Sequence, residues 1–138
     1  ELGMRHVSAM GEEVRTRLEA GQFIRAIDYI KAQRLRRVLS EALSRPLLAG
    51  AHAIVTPATV TGACDAQATI ESSGKKVPLR SLLTRLTLPY NLTGMPAISL
   101  PCGHDADGFP VGLQLAALKG YDSLLLQVSL QCETVLEE

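Results

Sequence analysis

The feature that most limits the fold of this chain is a short apolar segment enclosed between two prolines. Residues 89–103 read PYNLTGMPAISLPCG, so that Pro96 precedes the segment and Pro101 follows it. Proline disfavours helical geometry in the residue before it and has no N–H with which to continue a strand ladder. The pattern therefore predicts a strand near 97–101 that is entered from an extended segment and stops at Pro101.

A turn and a second strand follow this segment directly. The turn sequence HDADGF at 104–109 contains Asp-Gly, and the apolar sequence VGLQLAA follows at 111–117. Asp-Gly between two apolar runs is typical of a hairpin, so we expect the two strands to pair antiparallel. Gly112, inside the second strand, indicates the close approach of another backbone, such as that of a helix.

Apolar residues at helical spacing predict helices near 9–20, 22–44 and 122–136. We expect the second helix to end at Arg45-Pro46, because proline removes a backbone donor and restricts the preceding residue. Asp28 and Lys31 lie three apart within its apolar half and can pair.

The remaining segments supply a third strand and two connections. AHAIVTP is apolar and β-branched, and it predicts a strand near 51–56 that is buried on both faces. Residues 58–76 are small and polar and indicate a long connection with little regular structure, whereas 79–88 can form a helical turn or two. The order of elements predicts the α/β class, with a mixed β-sheet covered by helices.

Length and charge limit the classes of function. The 138 residues predict one domain or a piece of one, with 14 basic and 14 acidic side chains. This balance gives no reason to expect nucleic acid or an anionic membrane as a partner, and no apolar run approaches the roughly 20 residues that span a bilayer. The N-terminus has no secretory signal, so we expect a cytoplasmic protein. Because the chain starts with Glu1, we expect it to begin within a longer polypeptide.

The basic side chains of the second helix do not form one face. At helical spacing they scatter around the helix, whereas a nucleic-acid footprint needs a contiguous basic surface. We therefore expect these side chains to be solvated or paired within the chain. They are Arg25, Lys31, Arg34, Arg36 and Arg37.

The cysteines and histidines predict neither a metal site nor a cofactor. Cys64, Cys102 and Cys132 form no CxxC pair, so we expect reduced thiols. His6 and His52 have no Cys or acidic neighbours at ligand spacing. Cys102 and His104 lie two apart, but a lone cysteine on a short apolar strand is usually packed and inert.

Three segments, in order, carry a resemblance to a known family. They are EAGQFIRAIDYIKAQRLR at 19–36, AIVTPAT at 53–59, and NLTGMPAISLPCG with GFPVGLQL at 91–103 and 108–115. Together they resemble the C-terminal portion of the amidase signature enzymes, which hydrolyse carbon–nitrogen amide bonds. The third segment is the most specific.

The residues of the third segment have scaffold roles that physical chemistry explains. Pro89 is expected to hold Leu88 extended, and Asn91 to close its own turn through its side-chain amide. Gly94 permits backbone geometry that is closed to other residues. The resemblance implies structural roles for Asn91, Gly94, Pro96, Pro101, Gly103 and Gly112.

The catalytic residues that the resemblance implies are two serines and a lysine that precede the matched region. We therefore expect no catalytic residue in this chain. Ser72 and Ser73 lie close to Lys75 and Lys76 in sequence, and they superficially resemble a catalytic set of two serines and a lysine. Adjacent residues in a flexible loop are rarely held in reactive geometry, so we interpret them as a surface turn.

Thr84 is the one residue for which the resemblance implies a place in the substrate pocket. The A subunits of tRNA-dependent amidotransferases resemble the same pattern and carry an acidic residue seven positions before the asparagine, where this chain has Thr84. A neutral hydroxyl cannot compensate the ammonium group of glutamine as a carboxylate does. This difference favours an aliphatic or aryl amidase over a glutaminase.

Two functions follow from the sequence. The first is the C-terminal segment of an amidase that acts on a small-molecule amide in the full-length enzyme and is inactive alone. The alternative is a non-catalytic interaction module built on the same half-fold. Such a module would have to cover its strand edges, and a homodimer is one way to do so.

Overall fold

The computed structural model describes residues 9–65, 68–72 and 74–136. The chain divides into two compact units, residues 1–36 and 37–138, and the division falls within the second helix. The elements in chain order are α1 (Glu12–Gly21), α2 (Ala26–Leu48), β1 (Ile54–Pro57), β2 (Thr69–Ser72), β3 (Lys75–Pro78), a 3-10 helix (Leu79–Ser81), α3 (Leu88–Thr93), β4 (Ala97–His104), β5 (Pro110–Ala116) and α4 (Asp122–Leu136).

The first unit contains helix α1, a short connection and the beginning of helix α2. Helix α1 has no buried residue, and Phe23 in the connection is 84% exposed. Two acidic residues, Glu12 and Glu13, occupy the first turn of α1, where they favourably oppose the positive end of the helix dipole. None of the described helices is both long and apolar enough to cross a bilayer.

The second unit is built around a three-stranded antiparallel sheet. The strand order is β1-β5-β4, so β5 is central and pairs with both neighbours. Ile54 lies opposite Ala116 in one pairing, and Ala97 lies opposite the same residue in the other. The β4–β5 hairpin forms as the sequence predicts, with Asp105 accepting backbone N–H bonds from Asp107 and Phe109 across the turn.

Two buried clusters lie on this sheet. One contains Leu47, Tyr90, Met95 and Ala116, and the other contains Leu100, Leu115, Ala117 and Leu125. Adjacent residues of a strand point to opposite faces, so Leu115 and Ala116 place the clusters on the two sides of β5. Burial on both faces explains why this strand is a nearly continuous apolar run.

Helix α2 continues past the proline that was expected to end it, so this prediction is wrong. Pro46 lies inside the helix, which runs to Leu48. A proline near the end of a helix removes a single donor, and the carbonyls of Arg45 and Pro46 still accept bonds from Ala49 and Ala51. Packing of Leu47 in the first cluster offsets the missing bond.

Strand β1 also differs from the sequence-based expectation. It was predicted to be buried on both faces, but its residues alternate between half-buried and exposed, and Val55 is exposed. Strand β1 lies at the edge of the sheet that the described residues form, and the alternating pattern shows that they leave one of its faces uncovered. The β-branched composition reflects strand propensity here and does not report burial.

The connection at 58–76 contains a hairpin that the sequence analysis missed. Strands β2 and β3 pair antiparallel, with Ile70 opposite Val77 and Glu71 opposite Lys76. Gly74 in the turn between them has φ +73°, a left-handed geometry that glycine adopts without strain. The available signal was the glycine between two short β-branched segments.

Strand β4 does not stop at Pro101, so that prediction is wrong as well. The strand continues to His104, with an irregular register between Pro101 and His104 and a φ of +120° at Gly103. Since β4 is an edge strand among the described residues, the missing N–H of Pro101 does not interrupt a ladder on both sides.

Gly112 is closely approached by its neighbours, as its place in the strand indicates. The backbone N–H of Ala58 donates to the Gly112 carbonyl at 2.8 Å. A Cβ at this position would lie 2.9 Å from the Ser99 Oγ and 3.0 Å from the Ala58 Cβ. The neighbours are therefore the connection after β1 and strand β4; the helix offered as an example in the sequence analysis is not among them.

Candidate functional site

Thr84 lies in the turn segment that connects the 3-10 helix to helix α3, and its side chain is exposed. The Thr84 carbonyl accepts bonds from the Leu88 N–H at 2.8 Å and from the Thr87 hydroxyl at 3.2 Å. The segment is thus folded back on itself by local bonds.

Helix α3 corrects two predictions about the residues before β4. Pro89 lies in the first turn of α3, where a helix needs no N–H from it, and Thr87 before the helix already has φ −90° and ψ −29°. The approach is therefore helical and not extended at Leu88. Asn91 lies inside the same helix, so there is no turn at this position for its side chain to close.

Gly94 ends helix α3 in left-handed geometry. Its φ is +69°, and its N–H donates to the Tyr90 carbonyl at 2.9 Å. The buried Thr93 hydroxyl donates to the carbonyl of Pro89 at 2.9 Å. The reversal at Gly94 turns the chain from the helix towards Pro96 and β4, which is the scaffold role that glycine performs at helix ends.

Three of the six structural residues predicted from the sequence surround one cleft of about 460 Å³. Its lining includes Tyr90, Asn91, Gly94, Pro96, Lys119 and Asp122. The described lining contains no serine, cysteine or histidine, so the cleft lacks the serine nucleophile that the resemblance implies. The other three residues, Pro101, Gly103 and Gly112, lie elsewhere in the β4–β5 hairpin, and Thr84 does not line the cleft.

Gln114 is a residue that the sequence analysis did not single out. It is 4% exposed in the middle of β5, and its Nε2 donates to the Thr56 Oγ1 at 2.9 Å and to the Leu86 carbonyl at 3.1 Å. These bonds connect β5, β1 and the segment that carries Thr84. The signal was an amide inside the apolar sequence VGLQLAA, because a buried amide requires hydrogen-bond partners.

The remaining candidates give no reactive arrangement among the described residues. Cys102 is half-buried and its Sγ donates to the Val111 carbonyl at 3.5 Å, and the three cysteines are free. Ser73 and His6 lie outside the described residues, as does the side chain of Ser72. The described side chains contain no group of three or more potential metal ligands.

Comparison with known proteins places these elements in a larger context. The family model described as Amidase matches residues 3–126. The chain is 36% identical over 129 residues to the A subunit of the glutamyl-tRNA(Gln) amidotransferase of Prochlorococcus marinus, covering 89% of this chain and 25% of that protein. It is 32% identical to a fatty acid amide hydrolase of Medicago truncatula, covering 91% of this chain and 21% of that protein.

Solved structures agree with these relatives. A crystal structure of an amidase matches with a TM-score of 0.77 and 29% identity, over 91% of this chain and 29% of that chain. A 6-aminohexanoate cyclic dimer hydrolase matches with a TM-score of 0.68 and 26% identity, over 90% of this chain and 27% of that chain. The predicted α/β class is confirmed, and the chain spans a quarter or less of the curated relatives named above. With a family match over most of its length, the chain belongs to the amidase family.

Proposed function

We propose that this chain is the C-terminal part of an amidase and that it is inactive alone. The observation that carries the proposal is the match to the amidase family over 3–126, combined with coverage of only 21–25% of the curated relatives. The serine nucleophile and its base then belong to the part of the enzyme that this chain does not span. The chain supplies scaffold and one wall of the substrate pocket.

In the complete enzyme the reaction is acyl transfer to a serine followed by hydrolysis. A serine hydroxyl is a weak nucleophile until a neighbouring base accepts its proton. Its oxygen bonds the amide carbon, the carbon–nitrogen bond breaks as the nitrogen takes a proton, and water releases the acid. The family resemblance implies two serines and a lysine, outside this chain, for these steps. In this proposal the described residues contribute positioning and not proton transfer.

Uncovered apolar surface supports a larger enzyme. Helix α4 packs one side against β4 and β5, yet Leu126 and Leu130 are exposed. An apolar groove of about 300 Å³ lies beside the helix, lined by Leu113, Val128, Cys132, Val135 and Leu136 with Gln131. Apolar patches of this kind mark surfaces that another part of a protein covers. The remaining three quarters of an amidase fits that role.

The first experiment compares the chain alone with a completed enzyme. The purified 138-residue chain is assayed with benzamide, a fatty acyl amide and glutamine, and we expect no hydrolysis. A longer protein, which joins the residues encoded upstream to this chain, is expected to hydrolyse at least one uncharged amide. We call it the fusion. Hydrolysis by the short chain alone, abolished by Ser72→Ala, would contradict the proposal. In the fusion, Ser72→Ala serves as the control and is expected to leave the rate unchanged.

The neutral side chain of Thr84 makes the substrate class testable in the completed enzyme. Thr84→Asp adds a carboxylate, and a charge-assisted hydrogen bond to an ammonium group is worth about 1.5–3 kcal/mol. We therefore expect kcat/KM for glutamine relative to an uncharged amide to rise roughly tenfold to a hundredfold. Thr84→Asn is the matched neutral control. An equal ratio in both variants would show that Thr84 does not face the substrate.

The exposed apolar surface also favours a second candidate, a non-catalytic interaction module. In that case the chain alone covers its apolar faces by self-association, and a homodimer is the simplest arrangement. Sedimentation and urea unfolding together separate the two functions, because a module is expected to form a species of one defined size that unfolds cooperatively. A fusion without amidase activity together with such a species would favour the module over the enzyme segment.

A further inference from the structure

Strand β5 contains one buried polar side chain in an otherwise apolar sequence. Gln114 is 4% exposed, and its neighbours Leu115 and Ala116 are fully buried. An amide in such a place destabilises the fold unless its polar atoms are paired. Leucine or methionine would fill a similar volume without that requirement. The presence of a glutamine at this position is therefore explained by the elements that its hydrogen bonds connect.

Those hydrogen bonds join the sheet to the segment that carries Thr84. The planar amide of Gln114 has two donors, and they point to two acceptors on different elements. One acceptor is the Thr56 Oγ1, opposite Gln114 in the β1–β5 register, and the other is the Leu86 carbonyl, 28 residues away in sequence. The distances are 2.9 and 3.1 Å.

The other backbone bonds of the segment are local. The Arg85 N–H donates to Leu82 at 3.0 Å, and the Leu88 N–H donates to Thr84 at 2.8 Å. Local bonds fix the shape of a turn but not its place against a sheet. The bond from Gln114 to Leu86 fixes that place, because the same amide is anchored on β1 by Thr56.

We propose that Gln114 is a positioning residue of the amidase: it holds the 82–88 segment against the sheet and so sets where Thr84 faces the substrate. The positional part concerns this chain by itself, and the substrate part rests on the proposed function. The hydrogen bonds of the Gln114 side-chain amide go to Thr56 and Leu86. Gln114 acts through the Leu86 carbonyl, two residues after Thr84.

The positional part is tested by hydrogen exchange on the 138-residue chain. Gln114→Met keeps the length of the side chain and removes both donors. We expect the amides of 84–88 to exchange about tenfold faster, as for the loss of one net hydrogen bond, while the amides of the β4–β5 hairpin are unchanged. Thr56→Val is the matched control, since it removes one acceptor and leaves the bond to Leu86. Equal acceleration at all sites, or none at 84–88, would overturn the proposal.

A measurement on the unaltered chain keeps the test valid if Gln114→Met does not fold. The side-chain amide protons of Gln114 are expected to exchange at least about tenfold more slowly than those of the exposed Gln127, because both donors are buried and bonded. Equal rates for the two glutamines would overturn the proposal without any substitution.

The substrate part is tested by kinetics in the completed enzyme. A variant that is merely less stable has fewer active molecules, which lowers the apparent kcat at an unchanged KM. Displacement of a pocket wall raises KM, and we expect about a tenfold increase for Gln114→Met and a smaller one for Thr56→Val. Faster exchange at 84–88 with an unchanged KM would overturn the role in the pocket. A fusion that hydrolyses no amide would refute the proposed function, whereas the exchange result would still decide the positional part.

Discussion

The two units of the chain differ in what their apolar residues contact. In residues 37–138 a central strand and its neighbours bury two clusters, and Leu115 has no exposed surface. In the described part of residues 1–36, Phe23, Ile24 and Ile30 are exposed. Both regions have helices with apolar side chains, so composition does not separate them. Only the second unit has a sheet for a helix to pack on, among the described residues, and the stability of the chain is therefore expected to lie there.

The difference in burial between the units also bears on what stabilises their helices. Most helical stability in proteins comes from packing of an apolar face and not from intrinsic propensity. Helix α1 buries none of its residues, and Phe23, Ile24 and Ile30 are exposed. Substitutions made in matched pairs test this difference between the two units.

The largest expected contrast is between Leu115→Ala and Ile30→Ala. Leu115 is fully buried, so its truncation leaves a cavity and is expected to lower the free energy of unfolding by about 2–5 kcal/mol. Ile30 is 46% exposed in the first unit, and the same kind of truncation is expected to change it by less than about 0.5 kcal/mol. Urea unfolding followed by far-UV circular dichroism measures both. Equal losses would show that the first unit is also part of the folded core.

A smaller contrast is expected between two glycines, because alanine should destabilise the protein at one position and stabilise it at the other. Gly94 ends α3 with φ +69°, and an alanine there is strained by about 1–2 kcal/mol. Gly21 is the last residue of α1, has no positive φ, and has open space where a Cβ would be placed. We expect Gly21→Ala to stabilise α1 by about 0.5 kcal/mol, because alanine loses less backbone entropy on folding.

The two alanine variants are compared by unfolding for Gly94 and by amide exchange in residues 12–21 for Gly21. A stabilising Gly94→Ala would mean that the left-handed reversal before β4 is not required. A destabilising Gly21→Ala would mean that another group occupies the space beside α1.

Much of the sheet could be predicted from the sequence because its signals are local. Asp-Gly between two apolar runs indicated the β4–β5 hairpin, and a glycine inside β5 indicated close packing. The errors arose where tertiary contacts override a local rule. Pro46 is tolerated because Leu47 is buried, and Pro101 is tolerated because β4 has one partner among the described residues. Neither condition is visible in the residues adjacent to the prolines.

The candidate site was harder to predict for a related reason. Thr84 was selected from a family resemblance, and nothing in its neighbours indicates what it faces. Gln114 was visible as an amide within an apolar strand, but its partners lie 28 and 58 residues away in sequence. A buried polar residue therefore shows that a connection exists, and only the fold shows what it connects.

The smallest expected effect concerns an ion pair at the start of α2. Asp28 and Lys31 lie three apart in sequence and can pair, but in the structure Asp28 pairs with Arg25, whose Nε lies 2.7 Å from the Asp28 Oδ2. Both side chains are largely exposed, so Asp28→Asn is expected to weaken this end of the helix by less than about 1 kcal/mol. The measurement is amide exchange of residues 26–31 at low salt and at about 1 M salt, where screening should remove most of the effect.

Lys31→Ala is the matched control, and it is expected to leave exchange at the start of α2 unchanged at either salt concentration. An equal response to Asp28→Asn and Lys31→Ala would instead support a pair between Asp28 and Lys31, which their spacing allows. A salt-independent response to Asp28→Asn would assign the effect to the hydrogen bond and not to the charge, since screening acts on exposed charges. In either case Asp28→Asn is expected to cost less than about 1 kcal/mol, which is at most half of the smallest loss expected for Leu115→Ala. An exposed ion pair stabilises a protein less than a buried apolar side chain does.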